Sequence, residues 1–394
     1  MSVIVNQYNQ GTNSSHGANT ITHFYDRAGI RAATTKNVYQ MLADRKHMPT
    51  KYGKTYKISK WLWGLDRQVV DENGKFVGDP NGLYSGRDVT DVTNGLPTLE
   101  EGSGPANSFT IKKVTMETKL QRYGEMIEFT DEVEMFSEDA VQIRYREELG
   151  DRARRRYEDL VQLDMLATTF VKYGGDATTR CELGGDDDAT SDRYTIDETL
   201  VRKSIKDLVK YRAKKHTKMV TGSTKIDTRT VNSAYYAIVG PEVKYDLESL
   251  DKFIPVYKYA SATNIAEGEF GLLYDMRFIE SESAMVYRHQ GAMVGDGSAP
   301  SAVCYSSKGA DCKGEDSDKY HYDVFPVLVV TEGSFATVGL KGHSKVKFNV
   351  IPPNNKELGN PYGTKGLFSY NFWYAGIILE AEKLLKLEVT CKLV

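Results

Sequence analysis

SEDAVQIRYREELGDRARRRYEDLVQLDMLATTF, running from Ser137 to Phe170, is the stretch on which the fold turns. Small or apolar residues return at Tyr145, Leu149, Ala153, Tyr157, Leu160, Leu163 and Ala167, in the steps of four and three that mark one face of a helix. Ser137 supplies an N-cap, and Glu138 and Asp139 match the positive end of the helix dipole. Gly174-Gly175 follows soon after the pattern ends. The pattern predicts a helix over about 138–170, roughly 50 Å long at ~1.5 Å per residue, a spine rather than an ordinary packed helix. Gly150 within it costs ~1 kcal/mol relative to alanine and marks a bend or a close approach.

Charge is laid out in blocks around this helix. Upstream, Glu125, Glu128, Asp131, Glu132, Glu134, Glu138 and Asp139 fall in a stretch without lysine or arginine. Downstream come Arg144, Arg146, Arg152, Arg154, Arg155 and Arg156. Adjacent blocks of opposite sign suit a head-to-tail contact between copies. They suit equally a solvated face with intrahelical pairs such as Glu148–Arg152. At the N-terminus, Arg27, Arg31, Lys36, Arg45 and Lys46 lead a basic segment set in Asn, Gln, Ser, Thr and Gly, which reads as an extended arm. Such an arm contacts nucleic acid or the acidic body of a neighbouring subunit.

Between arm and spine the signals are strand and turn. Asn73-Gly74 supplies the positive φ angles of a tight hairpin turn, and Asn81-Gly82 and Asn94-Gly95 add further turns. Trp61 and Trp63 share one side of the first strand. A long hairpin with so few core residues needs another surface to lie on. After the spine, Thr195-Ile-Asp-Glu198 reads as a capping box opening a helix to about Lys214. Strands are expected at 218–221, 235–239, 324–330, 335–340, 346–350, 373–379 and 384–389, a hairpin at 270–279, and a short helix from Gly240-Pro241. Helices and strands are segregated rather than alternating, so the class is α+β.

The 394 residues are 40% hydrophobic and 27% charged, with net charge −3, which is ample for a folded core. The longest apolar uncharged stretch, Gly366–Leu379, falls short of the ~18 residues that cross a bilayer, and neither a signal peptide nor a fibrous repeat is expected. Cys181, Cys304, Cys312 and Cys391 make no disulfide framework; free thiols and a reducing cytoplasm are expected. The 25 tyrosines suit surfaces buried against partners. Gly53-Lys54-Thr55 lacks the first glycine of a phosphate-binding loop, and the histidines show no metal-ligand spacing. Asp186, Asp188, Thr190, Asp192 and Asp197 fit calcium-loop positions, but Ser191 stands where the turn glycine belongs. No catalytic residue, metal or cofactor is expected.

The later text carries a resemblance. Phe325-Pro-Val-Leu-Val-Val-Thr-Glu-Gly-Ser-Phe-Ala-Thr-Val-Gly339, Tyr362-Gly-Thr-Lys-Gly366 and Trp373-Tyr-Ala-Gly-Ile-Ile-Leu379 are its most specific parts. Lys215–Ser223, Gly240–Leu247 and Phe253–Ala260 add to it. With arm, hairpin, spine and mixed lobe in that order, the chain resembles tailed-phage major capsid proteins of the Hong Kong 97 fold, enquatrovirus type. The resemblance implies an N-terminal arm (1–50), an E-loop (51–115), a P-domain with the spine (116–195), an A-domain (196–340) and C-terminal strands returning to the body (341–394). It implies a virion shell of hexamers and pentamers around double-stranded DNA, assembled in the host bacterial cytoplasm. Scaffold, portal and cement proteins would be partners, and no membrane is involved. Assembly contacts are expected at Trp61, Trp63, Asn73, Gly74, Glu128, Asp131, Glu132, Glu134, Arg152, Arg154, Arg155 and Arg156. The arm residues Arg27, Arg31, Lys36, Arg45 and Lys46 are expected to meet DNA or a neighbour. A nanocompartment shell of the same fold and a soluble α+β enzyme are the other readings.

Overall fold

The computed structural model describes residues 37–61, 101, 113–136, 141–184, 194–220, 228–259, 265–343, 346–353, 356 and 360–393. They fall into two compact units. One holds 126–150 and 349–369; the other holds 35–125, 151–348 and 370–394.

The second unit is built on an eight-stranded sheet. β5 (Val171–Tyr173), β17 (Leu385–Val389), β13 (Phe325–Val330), β7 (Thr228–Val239), β10 (Met276–Glu280), β9 (Glu269–Leu273) and β8 (Ile254–Pro255) lie side by side in that order, and β6 (His216–Val220) adds to β7. All six residues of β13 are buried, because strands flank it on both sides and both its faces are covered. Helices α4 (Glu198–Lys210) and α5 (Pro241–Glu248) send Val201, Leu208, Val243 and Leu247 into one core with Phe278, Val327 and Leu387. A two-stranded hairpin, β11 (Ser306–Lys308) with β12 (Tyr320–Tyr322), forms a separate small sheet.

A second sheet runs β1 (Asp44–Met48), β14 (Phe335–Leu340), β16 (Lys365–Ile378), β15 (Lys347–Ile351), with β4 (Gln121–Thr130) also on β16. β1 is parallel to β14, from Asp44 opposite Ala336 to Met48 opposite Leu340. β2 (Thr55–Trp61) and β3 (Lys113–Lys119) form an unbroken antiparallel ladder, the root of the expected long hairpin. Tyr56, Ile58 and Met116 pack this root against Met48, Leu120, Ala336 and Val338. In the smaller unit, Phe129 stacks on Phe368 at 5.1 Å and Tyr145 closes on both rings. A Cβ at Gly366 would lie 2.4 Å from the Phe129 ring, so only glycine permits that stack.

The spine is α3 (Val141–Leu166), preceded by a short α2 (Asp131–Phe136) where strand was expected to give way directly to the spine. Ser137–Ala140, and with them the expected cap, lie outside the described residues. The buried face agrees with the sequence pattern at Leu149 and Ala153 but then departs from it. Glu158, Val161, Gln162 and Met165 are buried, while Leu163 is exposed. Hydropathy alone misassigns this half because two polar side chains there have buried partners. Nothing approaches within 4 Å of a Cβ at Gly150, so close packing does not explain that glycine.

Three further expectations change. The arm expected over 1–50 has joined the body by Val38, because Val38, Tyr39, Met41 and Leu42, around the short helix α1 (Tyr39–Leu42), are buried and β1 is paired. Helix α4 is capped by the Asp197 carboxylate, which accepts from the Glu198 and Thr199 N–H groups, so Thr195 is not the cap and the helix stops at Lys210. Cys181 and Cys312 are joined in a disulfide rather than free, because the turn Arg180–Glu182 and the β11–β12 loop meet across a separation of 131 residues. Cys304 and Cys391 stand outside the disulfide and are buried.

Candidate assembly surfaces

Start with the arginine block. Arg152 Nε lies 2.9 Å from one oxygen of Glu125 and Arg156 Nε 2.8 Å from the other. Burial pushes the Glu125 carboxyl upward, but the hydrogen bonds from Arg156 and Arg152 outweigh it and hold the group below its usual range. Arg144 pairs with Glu147, and Arg146 lies over the Phe368 ring. The structure thus gives Arg152 and Arg156 a partner within their own chain, Glu125. Arg154 and Arg155 are exposed and make no ion pair among the described residues.

Part of the acidic block lies in α2. Asp131 donates its N–H to the Thr364 carbonyl at 2.9 Å and accepts from Glu132 N–H; Glu132 and Glu128 are exposed. Glu134 also lies in this helix. Beside these acids Met135 and Phe136 are 69% and 83% exposed, an apolar surface that a partner would cover. At the hairpin root, exposed Trp61 lies under Lys113 Nζ at 5.5 Å, and Lys60 binds the Glu382 and Glu380 carboxylates. Trp63, Asn73 and Gly74 lie outside the described residues, as do Arg27, Arg31, Lys36 and the calcium-loop positions 186, 188, 190 and 192. Arg45 and Lys46 are described, half-buried in β1, and are therefore part of a sheet rather than of a free arm. Among the described residues, no group of three or more His, Cys, Asp or Glu could hold a metal ion, and no helix is long and apolar enough to cross a membrane.

The tyrosines divide. Tyr39, Tyr235, Tyr236, Tyr322 and Tyr370 are core, whereas Tyr52, Tyr257 and Tyr362 are exposed as seam residues would be.

Sequence reasoning missed Glu158. It is 2% exposed, and its carboxylate accepts the N–H groups of Val38, Tyr39 (2.6 Å) and Gln40 (3.3 Å). One turn on, Gln162 bonds the Tyr39 hydroxyl at 2.9 Å. The spine therefore clasps the chain at residues 38–40. The signal available was the i, i+4 spacing of Glu158 and Gln162 beside Val161 and Met165, masked by the three arginines just before.

Glu158 and buried His216 titrate in opposition. Burial raises Glu158 from 4.5 to about 7, against its backbone hydrogen bonds, so the native state binds that proton more tightly than the unfolded chain. Its contribution to stability is full below about pH 4.5 and is lost as pH rises toward 7. Burial lowers His216 from 6.5 to about 4, so its contribution is present above pH 6.5 and is lost as pH falls. Each shift is worth about 3 kcal/mol, and across pH 4.5–6.5 the two slopes nearly cancel. Relative to wild type, the stability of Glu158→Gln is expected to rise with pH over this window, and that of His216→Asn to fall. Urea midpoints at half-unit pH steps measure both; parallel profiles for all three proteins would refute the opposition.

The two sheets, hairpin root and spine define a capsid subunit of the Hong Kong 97 fold. Solved structures share it: the capsid of Ralstonia phage GP4 matches with TM-score 0.60 at 10% identity, covering 96% of this chain and 97% of that one. The capsid of cyanophage P-SCSP1u matches with TM-score 0.54 at 11% identity, over 95% of each chain. In sequence, a family profile described as phage capsid protein matches residues 113–335. The major capsid protein of Pseudomonas phage KPP21 is 31% identical over 97% of this chain and 96% of its own length. The chain belongs to the phage capsid protein family: it is a major capsid protein, part of the virion, and assembles with its own copies into capsomers.

Proposed function

We propose that this chain forms the hexamers and pentamers of an icosahedral head around double-stranded DNA, assembled in the host bacterial cytoplasm. Its role is structural, without catalysis or cofactor. Scaffold and portal proteins, and a cement protein where the head carries one, are its partners. The near full-length similarity to a phage major capsid protein carries this reading. In it, 51–115 is the E-loop, 116–195 the P-domain, 196–340 the A-domain and 341–394 the returning strands, with the arm rooted at Val38. Electron microscopy of the chain expressed with its scaffold tests the assembly; a protein that stays monomeric on sizing columns would sink it.

Arg154 and Arg155 are the basic pair left for DNA or a neighbouring copy. Arg154→Glu with Arg155→Glu leaves the Glu125 clamp intact, so the fold should persist. Genome retention or shell yield should drop about tenfold, and more steeply at raised salt, since charges facing an anionic partner act through counterion release and screening. Unchanged particles and genome content would show that the pair is merely solvated.

A further inference from the structure

We propose that Cys181 and Cys312 form a redox-set lock, open as two thiols while the subunit folds and closed by a small-molecule disulfide once the shell meets an oxidising medium. This rests on the proposal of assembly in the host cytoplasm, a reducing compartment. Both cysteines sit in turns that hold their shape without the bond. On one side, Glu182 accepts from Thr178 N–H (2.8 Å), Thr178 hydroxyl (2.9 Å) and Thr179 N–H, while Arg180 forks onto Glu388 at 2.8 and 2.6 Å. On the other, Asp311 accepts from Lys313 N–H (2.9 Å) and Glu315 N–H (2.8 Å), and Gly314 N–H returns to the Asp311 carbonyl. With the bond in place the Cα atoms are 5.8 Å apart, within the ~4.4–6.8 Å span of a disulfide.

Access separates this pair from the other cysteines. Cys181 and Cys312 are half-buried and within reach of a small oxidant. Cys304 and Cys391 are fully buried, and burial holds the Cys391 thiol well above its ordinary range. With a small disulfide as oxidant, the exchange joins Cys181 Sγ to Cys312 Sγ and breaks the oxidant's S–S bond. Two electrons pass from the cysteines to the oxidant, and their two protons end on two small thiols. The product ties the tip of the β11–β12 loop to the turn at 180–182, two segments 131 residues apart.

The test follows full-length protein in assembled shells. Lysis into denaturant with an alkylating reagent should label four cysteines per chain, and shells incubated with glutathione disulfide should label two, with peptide mapping placing the bond at 181–312. Two labels at lysis, or four after oxidation, would overturn the lock. Oxidation should raise Tm by about 5 °C and slow tryptic cleavage after exposed Lys313 about tenfold. Dithiothreitol should reverse both effects, and Cys181→Ser should lack them. Equal melting and cleavage in the two redox states would refute the role. If that variant fails to fold, the reduced and oxidised wild type still decide the matter. Absence of shells in either state would count against the assembly proposal, while label counts and melting still judge the lock.

Discussion

Glu158→Leu is expected to lower the stability of the free subunit by about 4 kcal/mol. Leucine fills the space but accepts nothing, so the N–H groups of Val38, Tyr39 and Gln40 are left without their shared acceptor in a site where the carboxylate itself is 2% exposed. Glu158→Gln keeps one carbonyl oxygen and should lose about half as much. Urea denaturation gives the magnitude, and amide exchange at residues 38–40 gives the place, because protection should fall there before it falls at β13. If the leucine variant matches wild type, Glu158 does not clasp residues 38–40.

Arg180→Met is expected to cost about 3–4 kcal/mol. Its partner Glu388 lies in β17 with its side chain wholly buried, bonded at both carboxylate oxygens by the Arg180 guanidinium and at one of them also by Lys386 Nζ at 3.0 Å. Burial alone would raise the Glu388 carboxyl, but Arg180 and Lys386 together hold it below its usual range. That contribution is present above the unfolded carboxylate pKa and is lost as pH falls through the lowered one. The deficit of the variant should therefore be full at neutral pH and shrink in acid. Adding Glu388→Met alone should recover little, since it strips buried Lys386 of its carboxylate, whereas Arg180→Met, Lys386→Met and Glu388→Met together leave no orphaned charge and should recover much of the loss. A single variant as stable as wild type, or a triple variant no better than the single, would refute the role assigned to the fork.

The two variants show what could be read from the sequence. The apolar run Phe325–Val330 reads as a strand and is one, because a strand covered on both faces needs no other signal. The spine's existence was legible from its period, but its second half was not, since burial there follows the partners of Glu158 and Gln162 rather than hydropathy. β1, spelled Asp-Arg-Lys-His-Met, carries no strand signal of its own; β14 makes it a strand from far along the chain. Cys181 and Cys312 were read apart for the same reason. Among the proposed contacts, Arg154 and Arg155 could be named from sequence, but their separation from Arg152 and Arg156 required the position of Glu125. Local patterns disclose local structure, and much of this chain's order is distant.

The parallel pairing of Asp44–Met48 with Ala336–Leu340 bears on how the protein is made. A ribosome adding 5–20 residues per second needs roughly 15–60 s to pass from the first strand of that sheet to its partner, about 290 residues later. Throughout that interval Met48, packed in the finished subunit against Ala336, Val338 and Ala375, has no sheet to cover it. Contacts of such long range also close slowly after release. The nascent chain is thus a natural client for a folding chaperone, and the rate of head production in an infected cell would be set in part by how fast this last edge closes.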